Sequence, residues 1–191
     1  MNNGTLQLES CRIPSRTSDS HEPNLLMPAY VEPDQVLDLV ERISAFKPSA
    51  SLFDLSKCMN ICNSLPILRA AELLQLLAVS GNGTVSLTRA GLELNQLAWR
   101  RGLLREKLSF LEPFRTALIL AGVGNTSIEE ITKALDRRGV RWHEIDRTNM
   151  RIVHSLLVNW AVSCDLLAYD GRCQEFSLLT ERNGKVPLII A

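Results

Sequence analysis

The chain has 191 residues, 46% of them hydrophobic, enough to build one ordinary domain or two small ones around a shared core. Its 21 basic and 21 acidic residues cancel, which excludes a whole-molecule field drawing it onto nucleic acid or an acidic membrane; any basic site has to be local. Cys11, Cys58, Cys62, Cys164 and Cys173 have no regular spacing and do not read as a secreted disulfide framework. With neither a signal-peptide segment nor an apolar run of about 18 residues, the expectation is a soluble, cytoplasmic protein.

Residues 1–29, rich in Asn, Ser, Arg and Pro and without period, read as a disordered leader, with folding expected from Tyr30. Pro33 and Asp34 open a helix whose Val36, Leu37, Leu39, Val40 and Ile43 share one face. A short second helix is expected over 51–60, and a third from Ser64, with Pro66 in its first turn. In AVSGNGTVSLTRAG (78–91) apolar and polar residues then alternate around the glycines. If Ser80 pairs with Thr84, Gly81-Asn82-Gly83 is a three-residue hairpin loop, and Gly83 takes a left-handed conformation.

Thr88 is expected to cap a connector helix that breaks or bends at Gly102. After Pro113, FRTALILAGV reads as a buried helix ending at 122–125. Ser127 and Glu130 have capping-box spacing, and Gly139 should stop the helix they start. A longer helix is expected over roughly 146–162, carrying Met150, Val153, Leu156, Leu157 and Trp160 on one side. A second hairpin should then turn on Asp170-Gly171 and run to Leu178. The predicted fold is mainly α with small β-hairpins, two winged-helix-like halves joined by a connector helix. Their bounds are 30–112, connector included, and 113–180, followed by a tail over 181–191.

The glycine-rich loop is a turn and not a phosphate cradle. A P-loop needs a Lys followed by Ser or Thr and then a helix, whereas here a strand-like alternation follows the glycines. Trp142-His-Glu-Ile-Asp-Arg147 begins like a zinc-protease helix, but Arg147 stands where the second histidine belongs. Cys58 and Cys62 lie one helical turn apart without further ligands in sequence and read as small buried side chains. With a two-residue turn at Asp170-Gly171, Cys173 would face Ala168, which disfavours a bridge to Cys164. No Ser or Cys is matched with a base, so no catalytic residue, metal or cofactor is assigned, and the expectation is a non-enzyme.

The one local charge concentration is in the second half. Arg137, Arg138, Arg141, Arg147 and Arg151 outweigh Glu144 and Asp146, and Arg147, Arg151 and His154 fall on one helix face by spacing. Three readings compete for this strip: a solvated surface, an anchor for an acidic protein partner, and a phosphate-binding face. The corresponding region of the first half, 52–88, has balanced charge.

Taken together, Met27-Pro28 ahead of the first helix, LPILRAAELLQLL (65–77), VSLTRAGLEL (85–94) behind a hairpin and NWAVSCDLLAYD (159–170) resemble a known family. It is the AAA-associated C-terminal domain found behind the ATPase of nitrate/sulfonate/taurine-type ABC transporters. The resemblance spans roughly Met27 to Leu178. The last motif is similar to the family's Trp-Gly-Arg-Tyr-Ala-Glu-Leu-x-x-Tyr-Asp, although Ala161, Val162 and Ser163 replace Gly-Arg-Tyr and remove one candidate arginine. The resemblance implies an accessory or regulatory module of an ABC-type importer ATPase, peripheral to the inner membrane through the transporter. The ATPase would then be a protein partner on a separate chain. The alternative is a winged-helix DNA-binding transcriptional regulator using the 137–154 face.

Overall fold

A computed structural model describes residues 26–45, 49–51, 61–94, 100–140, 142 and 149–179. All of the expected 51–60 helix except Ser51, nearly all of the leader and the whole C-terminal tail lie outside these residues. In chain order the elements are α1 (Pro33–Ala45), β1 (Ser49–Ser51), α2 (Ile61–Leu73), β2 (Leu77–Val79), β3 (Thr84–Leu87), α3 (Arg89–Leu94) and α4 (Arg100–Leu108). There follow α5 (Phe114–Ala121), β4 (Thr126–Ser127), α6 (Ile128–Arg137), α7 (Asn149–Leu156), a π-helical continuation (Leu157–Val162), β5 (Leu167–Asp170) and β6 (Glu175–Leu178). The architecture is mixed: helices pack on two small three-stranded antiparallel sheets, ordered β1-β3-β2 and β4-β6-β5.

Each sheet is built around one buried row. In the first, Ala50 and Val79 flank Val85 in register, and Val85 is fully buried. In the second, Thr126 and Tyr169 flank the fully buried Phe176. The hairpin expected at 80–84 is present. Ser80 N donates to Thr84 O at 2.9 Å, Asn82 Oδ1 accepts from Thr84 N, and Gly83 has φ 77°. This positive φ is the conformation that only glycine adopts without cost.

The helix preceding each hairpin ends in the same way. Leu76 N donates back to Ala71 O, and Leu166 N to Ala161 O, across five residues, while Gln75 (φ 57°) and Asp165 (φ 55°) take the left-handed conformation between. These are Schellman closures made with non-glycine residues, and each sends the chain straight into a strand. Thr88 caps α3 as expected, its Oγ1 accepting from Gly91 N at 3.1 Å. The Ser127–Glu130 capping box is complete, and Gly139, at φ 71°, closes α6.

Several expectations need correction. Ser51 belongs to strand β1, which pairs with β3, and not to a helix start. α2 begins at Ile61, so Ser64 is not its cap and Pro66 lies inside it. The lost hydrogen bond is outweighed by burial of Ile67, Leu68, Ala70, Ala71 and Leu74. α4 runs through Gly102, so the connector does not break there. In the second hairpin Asp170 pairs with Glu175, so Gly171 to Gln174 form the loop, closed by Gln174 at φ 57°. Cys173 is therefore exposed in a turn and Ala168 faces Ser177; Cys164 and Cys173 are both free thiols. The folded region also starts before Tyr30, since Met27 is fully buried.

Candidate functional site

Four of the six candidate residues are described, and two of these, Arg138 and His154, make side-chain contacts within the chain. Arg137 ends α6 and is exposed, and Arg151 is exposed on α7; neither makes an ion pair among the described residues. Arg141 and Arg147 lie outside the described residues.

Arg138, just past α6, has 43% of its side chain exposed but reaches Glu112 and Thr116 with its guanidinium. Its Nη1 lies 2.6 Å from Glu112 Oε1 and donates to Thr116 Oγ1 at 2.6 Å. Glu112, only 7% exposed, directs its other oxygen to the first turn of α5, where Oε2 accepts from Thr116 N and Oγ1 at 3.2 and 2.7 Å. One carboxylate thus satisfies an amide at the start of α5 and neutralises a guanidinium at the end of α6. Oε1 has no directed hydrogen bond, so the Arg138 charge is what compensates it.

His154 makes the second of these contacts. It is partly buried, with Nε2 at 3.1 Å from Tyr169 Oη, and its ring meets Tyr169 edge-on at a centroid distance of 5.4 Å. Phe176 completes the cluster, 6.2 Å from His154 and 4.7 Å from Tyr169. His154 therefore fixes α7 to the β5–β6 hairpin. The exposed neighbour of Arg151 is Met150, 45% accessible, which had been expected on the inner side of its helix.

The thiols of Cys164 and Cys173 are both shifted upward. Burial pushes Cys164 up to about 11, and Cys173 is raised mainly by the charge of Asp170. Among the described residues no group of three or more His, Cys, Asp and Glu is placed to hold a metal, and no helix is long and apolar enough to cross a membrane.

Sequence reasoning missed two constellations. One is Glu112–Thr116–Arg138, whose local signal was an acidic residue four positions before a threonine at a helix start. The other is a pair of buried indoles, Trp142 and Trp160, whose N–H groups donate to Met27 O at 2.9 Å and Val31 O at 2.7 Å. A buried tryptophan needs such a partner, but its spacing in sequence does not say which. Comparison with protein-family models, curated proteins and solved structures finds no match.

Proposed function

We propose that the protein is a non-enzymatic, cytoplasmic interaction module of two winged-helix halves that binds and regulates the ATPase of an ABC-type importer. The winged-helix reading is supported by the order of elements: in each half a helix precedes a short strand, further helix follows, and a hairpin closes a sheet in which the short strand pairs with the last one. The ATPase partner rests on the resemblance carried by 65–77, 85–94 and 159–170.

One observation favours a protein partner over DNA. On α7 an exposed apolar residue, Met150, adjoins an exposed cation, Arg151, while Arg138 and His154 are committed to internal contacts. Met and Arg are both enriched at protein interfaces. Contact there would act by favouring one conformation of the ATPase over another.

The test is affinity capture with the tagged full chain from cells that make it, with and without nuclease. Recovery of a transport ATPase that survives nuclease is the expected result. Recovery of nucleic acid alone sinks the proposal and favours the DNA-binding alternative.

A further inference from the structure

Leu26 to Val31 reach the second half before the chain enters α1 in the first. Leu26 forms a lone parallel bridge with Glu112, and Met27 N donates to Glu112 O at 2.9 Å. The Trp142 indole, beyond α6, holds Met27 O, and the Trp160 indole, in the π-helical turn, holds Val31 O. Met27 is fully buried and Val31 is 3% exposed, so two side chains are seated along with their carbonyls. Between these anchors Tyr30 is forced to φ 61° with its side chain 62% exposed.

The most extensive packing of the remaining elements stays within each half: α1 on α2, β1 and β3, and α5 on α6, β4 and β6. Among the described residues, the polar side-chain ties from 100–112 to the second half are the exposed Arg101–Asp165 pair at 3.5 Å, which contributes little, and the Glu112 carboxylate. That carboxylate meets Thr116 and Arg138 at the same place where the main chain of Glu112 receives Leu26 and Met27. We propose that residues 26–31 form a releasable clasp that fixes the first half on the second and opens as a unit while both halves stay folded. The segment has the features of a low-stability unit: no regular secondary structure, few hydrogen bonds, and one residue with a Cβ in a left-handed conformation. Trp142 and Trp160 are then positioning residues that grip main chain, with Met27 as the anchor side chain.

The test is residue-resolved amide hydrogen exchange on the full chain, comparing the Met27 amide with amides of β3 and β6. Trp160→Phe removes the indole donor and keeps an aromatic ring. It should speed exchange at Met27 by about tenfold, the size of one lost buried hydrogen bond, and leave β3, in the half that does not hold Trp160, unchanged. Tyr30→Gly removes no buried group and relieves the positive φ, so it should slow exchange at Met27 by roughly fivefold, without change in either sheet. Exchange at Met27 that moves together with β3 in Trp160→Phe, or with either sheet in Tyr30→Gly, overturns the clasp, as does a Met27 rate that moves in neither variant. If Trp160→Phe does not fold, Tyr30→Gly decides: slowing confined to the clasp supports it, and any other result overturns it.

Discussion

Gly91 and Arg138 show how far a single residue's role depends on what lies far along the chain. A Cβ at Gly91 would sit 2.1 Å from the carbonyl oxygen of Leu76, which also accepts from the Thr88 backbone amide at 3.0 Å. The Leu-Thr-Arg-Ala-Gly run is thus a packing device: threonine caps α3, and glycine lets that helix lie against the end of α2. Gly91→Ala should destabilise the chain by about 3 kcal/mol or more, because backbone and not a flexible side chain has to move; an unchanged urea midpoint would contradict this. Arg138→Ala should cost about 2 kcal/mol in urea unfolding, less than the ~3–5 for a wholly buried pair because the Arg138 side chain is 43% exposed. A loss under about 0.5 kcal/mol would place the pair among ordinary surface pairs. The six-residue candidate strip was legible in sequence only as charge. Among its four described members, the division into two exposed arginines, one ion pair and one aromatic contact depends on Glu112 and Tyr169, which no local pattern links to them.

At the level of elements, most cap and turn signals within a few residues are met, the Ser64 cap and the Asp170-Gly171 two-residue turn being exceptions, while strands that need a distant partner leave no signal. The Gly83 hairpin, the Thr88 cap, the Ser127–Glu130 box and the Gly139 stop are local chemistry and are all present. Strands β1 and β4 were invisible, since two or three residues are too short to show a period and become strands only through β3 and β6. Asp170-Gly171 failed as a two-residue turn because Asp170 stays in the ladder opposite Glu175. Ser127→Ala should cost about 1 kcal/mol through loss of the α6 cap. The same cap has a pH signature. Hydrogen bonds from the Ser127 amide and the Thr126 hydroxyl hold the Glu130 carboxyl below its ordinary 4.5. Its contribution is therefore fully present above pH 4.5 and lost as pH falls through the lowered value, and Glu130→Gln should flatten that part of the acid-unfolding curve. Asp165→Gly should stabilise by roughly 1 kcal/mol, as relief of the left-handed strain outweighs an exposed ion pair; a lower thermal midpoint would contradict it.

Across the whole molecule, the two halves share a plan without a visible sequence repeat. Both sheets place the short first strand against the last, and both pre-hairpin helices close through a left-handed non-glycine residue. That plan was legible as a repeated order of helix and hairpin. What joins the halves was not, because Met27 and Val31 are held by backbone carbonyls, which leave no mark in sequence. We propose that the exposed Arg137, at the end of α6, and Arg151, on α7, take part in engaging a transport ATPase. The most direct measurement is affinity capture from nuclease-treated cells with the wild-type chain and with an Arg137→Glu/Arg151→Glu variant shown to be folded by circular dichroism. The wild type should recover the ATPase, and the variant should lose at least about tenfold in yield, as expected when interface arginines are reversed. Equal recovery by both chains, or recovery of no ATPase by either, would contradict it.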